Sequence, residues 1–179
     1  ERNRDTDQDF TPNVLFETIQ SDAGWQIFQE LKATGENEDG SLQWNLGSYF
    51  LMEELEYASE TKTRVPEIDA LRTFTQSMKS FAVYAGFDWD FLDDFTLSAG
   101  ARYNWEQKEF DLRQYITLST GASLGGEPAP VSSTWSAPTG LLSLTYRFND
   151  DVSAYWKFSR GWKGGHYNAN RAYEPPAQP

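Results

Sequence analysis

Residues 81–105 read FAVYAGFDWDFLDDFTLSAGARYNW. Phe81, Val83, Ala85, Phe87, Trp89 and Phe91 alternate with Ala82, Tyr84, Gly86, Asp88 and Asp90. After the polar LDD, Phe95, Leu97, Ala99, Ala101, Tyr103 and Trp105 alternate with Thr96, Ser98, Gly100, Arg102 and Asn104. A period of two over arms of this length predicts two strands joined by a tight turn, one face apolar and the other wet.

The unit recurs on both sides. Residues 135–163 place Leu144, Tyr146 and Phe148, then Val152, Ala154, Trp156 and Phe158, on one parity around NDD. Residues 24–56 give a weaker copy around GENEDG, in which Phe28, Gln29, Tyr49 and Leu51 blur the alternation. Strands are expected near 24–34, 41–56, 80–91, 95–110, 135–148 and 151–163, as three antiparallel hairpins. Between hairpins lie longer segments, 57–75 and 107–134, read as loops; the second holds STGASLGGEPAPVSS. Ile68, Leu71, Phe74 or Thr75, and Met78 also fit a short helix started by Pro66, but extension of the next strand through 74–80 is preferred. Residues 1–23 read as a further irregular loop.

Alternation alone also fits a soluble β-sandwich, or a carbohydrate-binding module with exposed Trp. Three features favour a transmembrane barrel wall. Connections are short, then long, at every step. Aromatic residues gather at both ends of the apolar parity (Trp89, Phe91 and Phe95; Tyr103 and Trp105), with Ala99 and Ala101 between them, as in the two girdles of a membrane barrel. The opposite parity carries Gly, Ser, Asn and charge, which suits a lumen. A register slip of one residue would aim Asp88, Asp90 and Arg102 at lipid, where an arginine at mid-depth costs about 2–4 kcal/mol, so the parity is strongly specified.

The expected fold is therefore all-β, an antiparallel up-and-down transmembrane β-barrel segment of about six strands. Six is fewer than the eight or so a bacterial barrel needs, and 1–179 reads as part of a larger barrel domain.

Composition narrows the functions. The net charge of −12 and the absence of a basic stripe argue against nucleic acid. With no Cys, thiolate metal sites and Cys nucleophiles are excluded. The single His, His166, cannot build a His-rich metal site, and it leaves a barrel-borne lipase or protease as a weak third reading, because no Ser-His-Asp spacing recommends one. Asp93–Asp94 and Asp150–Asp151 read as turn residues. Glu53, Glu54 and Glu56 offer carboxylates for a cation but read as a solvated strand end. GASLGG lacks the Lys-Ser/Thr of a phosphate loop and reads as a flexible loop. No catalytic residue, cofactor or metal is expected.

At this point a family resemblance enters. DFLDDFTLSAGARYNWEQKEFD (90–111) resembles the D…LTLTAGLRYxxExKxF strand pair of TonB-dependent outer-membrane receptors. WSAPTGLLSLTYRFNDDVSAYWKFSRGWKGGHYN (135–168) resembles their P…SLxYxFxDDxxAYaxyxxGFKxGGxN segment, and QIFQELKATGENEDGSLQWNLGSYFLMEE (26–54) is similar to their xxQELRLxSxxxGxLxWxxGxYYxxE segment. Trp162 stands where the family usually has Phe, and His166 follows the Gly pair. The resemblance implies a bacterial outer-membrane receptor with an N-terminal plug, a 22-strand barrel and energised uptake of a scarce small molecule such as an iron-siderophore. Its partners would be outer-membrane lipid, the ligand, and TonB through the plug domain, which nothing in 1–179 resembles. Arg102, Trp135, Lys157, Trp162 and Tyr167 are the ligand-contact candidates: cations on the lumen parity and aromatics near the outer strand ends. Segments 57–75 and 107–134 would set ligand choice.

Overall fold

The computed structural model describes residues 2–7, 15–64, 67–127 and 129–167, with backbone alone at 5–7. Eight strands form one antiparallel sheet: β1 (Arg2–Asp7), β2 (Phe16–Glu36), β3 (Leu42–Arg64), β4 (Glu67–Leu92), β5 (Phe95–Leu118), β6 (Ser123–Gly126), β7 (Val131–Arg147) and β8 (Ser153–Arg160). Neighbours follow chain order, β1-β2-β3-β4-β5-β7-β8, with β6 pairing β5 off that path. The described residues contain no helix, and the sheet is open.

The three expected hairpins are β2–β3, β4–β5 and β7–β8, and side chains build the first and last of their turns. Asn37 Oδ1 accepts from the Leu42 amide at 2.9 Å, Asp39 Oδ1 accepts from the Ser41 amide at 3.0 Å, and Gly40 takes φ 74°. That left-handed residue favours glycine. The amide of Ser41 holds the Asp39 carboxyl below its usual value. In the last turn, Asn149 Oδ1 accepts from the Asp151 and Val152 amides, both at 2.9 Å. The carboxylates of Asp93, Asp94, Asp150 and Asp151 sit in these polar turns, where local backbone bonding is the physical role of Asx residues. A register shift between Asp90 and Leu92 marks a bulge beside the second turn.

The register divides every strand between two faces. Leu42, Trp89 and Leu97 are cross-strand neighbours on one face, as are Phe50, Phe81 and Trp105. This face carries Trp25, Ile27, Leu31, Trp44, Leu46, Val83, Phe87, Leu142, Leu144, Trp156 and Phe158, all exposed. At its lower rim, rings run Trp89–Phe91–Phe95–Tyr146–Phe148 with centroids 4.5–5.8 Å apart. From Phe81 to Phe91 a strand rises about 33 Å at ~3.3 Å per residue, which a tilt of ~40° reduces to about 25 Å, the height of a barrel's apolar band.

The strands run far past that band. Residues expected as loops, 57–75 and 107–134, are mostly paired strand: β3 continues to Arg64, β4 starts at Glu67, and β5 reaches Leu118. β1 and the start of β2 occupy what reads as an irregular N-terminal loop. The GASLGG stretch holds a turn and then β6, with Gly121 and Gly125 at positive φ.

The pattern hides these strands because it changes phase. Above the Phe81–Trp105 level the outward residues become polar: Glu54, Glu56, Glu60 and Lys62 on β3, Thr73, Thr75, Ser77 and Lys79 on β4, Gln107, Glu109, Asp111 and Arg113 on β5. The apolar residues move to the inner parity as Leu55, Tyr57, Phe74, Phe110, Leu112 and Trp135. Most of the buried apolar residues lie there: Leu51, Ala82, Phe110, Leu112, Trp135 and Ala137. The sheet thus packs its inner face at the top and exposes its outer face at the bottom.

Candidate functional site

Two groups of side chains occupy the inner face, one above the other. The lower centres on Arg102. Its guanidinium carbon lies 5.3 Å from the Tyr49 ring centroid and 5.8 Å from that of Tyr84, within the range of cation–π attraction. Its Nε donates to Asn104 Oδ1 at 2.6 Å. Asn104 is buried and its Nδ2 donates to the Ala137 carbonyl and to Thr139 Oγ1, both at 3.3 Å. The Tyr84 hydroxyl donates to Glu30 Oε1 at 2.6 Å, and its ring lies over Gly47, where any side chain would collide with it. Gly47, Tyr84 and Arg102 are cross-strand neighbours in one row. A cavity of about 520 Å³ opens here, lined by Glu30, Asn45, Tyr84, Arg102, Thr139 and Trp162 among others.

Lower still, Asp88 accepts from the Ser98 hydroxyl and Asp90 from that of Thr96. These bonds hold the two acids on the inner parity, and each has a cross-strand partner.

The upper group is aromatic. Tyr57 stacks on Phe74 (4.9 Å, 22°), Phe74 meets Phe110 (5.3 Å, 38°), Phe110 stacks on Tyr167 (5.3 Å, 12°), and Tyr167 meets Trp135 (6.3 Å, 59°). Such offset pairs are worth about 0.5–1.5 kcal/mol each beyond burial. Beside them Lys108 Nζ bridges to Glu106 Oε1 at 2.9 Å, lies 6.0 Å from the Trp135 ring and donates to the Gly165 carbonyl at 2.8 Å.

Gly165 and Tyr167 belong to GWKGGHY (161–167), the first three residues of which fall in the strand expected over 151–163. β8 ends at Arg160 instead, and the chain folds over the inner face. Gly161, Gly164 and Gly165 give this stretch conformational freedom. Gly164 also lies against the Glu106 carboxylate so closely that any side chain would collide.

The five ligand-contact candidates therefore divide. Trp135 and Tyr167 meet in the aromatic group, and Arg102 and Trp162 line the cavity below. Lys157 stands apart on β8, opposite Ser143 and exposed, with no ion pair among the described residues. The Glu53, Glu54 and Glu56 set is taken apart by alternation: Glu53 faces inward, whereas Glu54 faces outward and accepts from Trp25 Nε1 at 3.1 Å. No group of acids and histidine fit to hold a metal ion occurs among the described residues. His166 is exposed.

Sequence reasoning missed Glu30, Tyr49, Tyr84, Asn104, Lys108, Phe74 and Phe110 as site residues. Tyr49 and Tyr84 are large rings on an otherwise small, polar parity. The blurred alternation was their signal.

An antiparallel wall with an apolar belt about 25 Å tall outside and a polar, aromatic-lined surface inside is the wall of an outer-membrane barrel. The chain matches the family "TonB dependent receptor-like, beta-barrel" over residues 1–178 and belongs to it. It is a bacterial outer-membrane barrel chain. Among solved structures it is similar to the ferric yersiniabactin uptake receptor FyuA from Yersinia pestis, with TM-score 0.73, 20% identity, and coverage of 93% of this chain and 24% of that chain. The chain thus spans about a quarter of that receptor's length. No curated protein sequence matches. Family membership removes the soluble carbohydrate-binding reading: exposed Trp44, Trp89 and Trp156 lie on the lipid-facing belt.

Proposed function

We propose that this chain forms part of the wall of a ligand-gated uptake receptor for a scarce small molecule of the iron-siderophore class, energised by TonB through a plug domain. The observation that supports it is the pairing of an apolar outer belt with an inner face bearing Arg102 between two tyrosine rings and, above it, the Phe110–Tyr167–Trp135 rings and Lys108. A bare pore wall has no need of stacked rings on its water side. A receptor that captures a bulky solute before passing it inward does.

Arg102 and Trp162 at the cavity, and Trp135 and Tyr167 in the ring cluster above it, are the residues a ligand would meet on this reading. Lys157, in one inward row with Ser143, Ser98 and Asp88, is assigned to the lumen wall.

The test is uptake by cells. A strain lacking the full-length gene, grown under iron limitation, should lose accumulation of radiolabelled iron from at least one of a panel of ferric siderophores. Complementation should restore it, and a protonophore or loss of TonB should abolish it again. Unchanged accumulation across the panel would remove the iron-siderophore class, and accumulation indifferent to the protonophore would remove the energised mechanism.

A further inference from the structure

Row by row, the outer face of the belt is unevenly filled. Cross-strand pairing sets Leu46, Ala85, Ala101, Gly140 and Arg160 in one row over β3, β4, β5, β7 and β8. The row below is bulkier, with Trp44, Phe87, Leu142 and Phe158 around Ala99. The middle of the upper row has almost no side chain. Gly140 has to stay bare, because a Cβ there would stand 2.9 Å from the Gly100 carbonyl oxygen. A groove of about 840 Å³ results on the lipid side, floored by Ala85, Ala99 and Ala101 and walled by Trp44, Leu46 and Phe87. It runs on past Gly140 to a cation, Arg160.

An arginine on the lipid parity is costly at mid-depth, and the tilt of the strands lifts this one toward the surface. The outward apolar residues of the belt end at Trp25, Met52, Phe81, Trp105, Pro138 and Phe158 on β2, β3, β4, β5, β7 and β8. Trp25 pairs with Glu54 and Met52 with Lys79, two rows and one row above Phe81. Pro138 pairs with Tyr103, one row below Trp105, and Phe158 joins Leu142 and Ala99, three rows below it. The upper edge of the belt thus steps down the register from β2 to β8, so each row climbs toward the outer interface in that direction. With strands ~4.8 Å apart and tilted ~40°, the climb is about 3 Å per strand. Ala101 lies about 10 Å below Trp105 at ~2.5 Å of height per residue. Arg160, two strands on, lies only about 4 Å below that level, and a side chain reaching ~6 Å brings its guanidinium to the headgroup boundary.

We propose that this row docks one phosphate-bearing membrane lipid, its phosphate on Arg160 and an acyl chain lying over Gly140, Ala101 and Ala85 against Leu46. The groove is continuous with the lipid-facing belt, so hydrocarbon is what reaches it, and the charge at its upper end suits a phosphate, which a guanidinium can grip with two bonds. From Arg160 to Leu46 the row spans four strand spacings, about 19 Å, and descends about 12 Å, close to the ~15 Å depth of one leaflet. The site lies on the opposite side of the wall from the solute path and is independent of what the receptor takes up.

Native mass spectrometry of the purified full-length receptor in detergent, titrated with dimyristoyl phosphatidic acid, reads the affinity of the first bound lipid. Dimyristoylglycerol supplies the same chains without the phosphate, and inorganic phosphate supplies the charge without the chains. Phosphatidic acid should bind about tenfold more tightly than dimyristoylglycerol, and an equal concentration of inorganic phosphate should not displace it. Arg160→Leu should remove that tenfold advantage, and Arg160→Lys should keep most of it. Ala101→Leu, which fills the floor, should weaken both lipids about threefold. Unchanged phosphatidic acid binding in Arg160→Leu overturns the phosphate seat; it is the result expected if Arg160 serves the inner cavity, which it also borders. Unchanged binding of both lipids in Ala101→Leu overturns the acyl seat. Displacement by inorganic phosphate overturns the lipid as occupant. Folding is read separately by urea titration in phosphatidylcholine vesicles, where Arg160→Leu should keep the wild-type midpoint; a lowered midpoint overturns the placement of Arg160 at the lipid boundary.

Discussion

An arginine at position 101 should be far more damaging than one at position 98. Ala101 lies on the outer face between Ala85 and Gly140, in a groove it shares with Trp44, Leu46 and Phe87. At a height of about 2.5 Å per residue on a strand tilted ~40°, Ala101 stands about 15 Å above Phe95 and 10 Å below Trp105. It is thus within roughly 3 Å of the middle of the belt. An arginine side chain reaches ~6 Å and cannot bring its charge to either interface. The cost should therefore lie within the mid-depth range, about 3 kcal/mol, or on the order of a hundredfold in the folding equilibrium. Ser98 is three residues lower but on the inner parity, where its hydroxyl donates to Asp88. Ser98→Arg exchanges that bond for a charge pair with Asp88 in water, and the two changes nearly offset, leaving about 1 kcal/mol or less.

Urea titration of the full-length protein refolded into phosphatidylcholine vesicles, with folding read by tryptophan fluorescence, measures both variants on one scale. The slope should stay constant and only the midpoint move. Equal losses at the two positions, or a larger loss at 98, would refute the assignment of the odd parity of β5 to lipid and with it the outward sense of the belt.

Three further outcomes follow from single contacts. Asn104→Leu removes the acceptor of Arg102 Nε and the donor to Ala137 and Thr139, and the same urea titration should show a loss of about 1–3 kcal/mol; a neutral result would mean the buried amide is not structural. Gly47→Val should cost about 1–3 kcal/mol by driving the Tyr84 ring off Glu30, and adding Tyr84→Ala should recover part of it; additive losses in that double mutant would disprove the steric route. Above the membrane, the Tyr115 hydroxyl donates to Glu127 at 2.7 Å, and that bond holds the phenol above its usual 10.0. A value raised on folding gives stabilisation that is full below the unfolded value and lost as pH rises through the folded one. Ultraviolet titration should therefore show a late tyrosinate step that disappears in Tyr115→Phe and shifts down in Glu127→Gln, and no difference between the variants would break the link.

The strands inside the belt were legible because lipid imposes a simple rule: one parity apolar, the other polar. Phe81, Val83, Phe87 and Trp89 obey it, and the three hairpins follow. The turns were legible from Asn37, Asp39, Gly40 and Asn149, whose local bonding is written in residue type. The inner site was only partly legible. Arg102 was found by its charge on a known parity, and Trp135 and Tyr167 by being aromatic near strand ends. Glu30, Tyr84 and Lys108 come from three different strands, and only the register brings Tyr84 to Glu30. The inward fold of 161–167 could not be read, because a glycine-rich stretch after an alternating strand looks the same whether it climbs or returns.

The segments that read as loops teach the most, because their alternation was present but inverted. On β4, Phe81, Val83 and Phe87 are apolar at odd positions and face out, yet earlier on the strand Ile68, Ala70, Phe74 and Met78 face in while Thr73, Thr75 and Ser77 face out. On β5 the switch falls between Trp105 and Phe110, and on β3 between Met52 and Tyr57. The three switches lie at one level of the sheet, as the pairings Phe50–Phe81 and Phe81–Trp105 show. One solvent boundary explains all three. Below it the outer wall meets hydrocarbon and must be apolar. Above it the outer wall meets water, and the apolar side chains are buried only by facing inward. A scan for a fixed period and phase averages the two halves to nothing and reports a loop, or finds the i, i+3 spacing of Ile68, Leu71 and Phe74 and reports a helix. A scan that lets the phase reverse once per strand would recover strands of more than twenty residues, β2 to β5. It would also locate the outer interface, and above that interface the inward rings Phe74, Phe110 and Trp135 on which the ligand-capture reading rests.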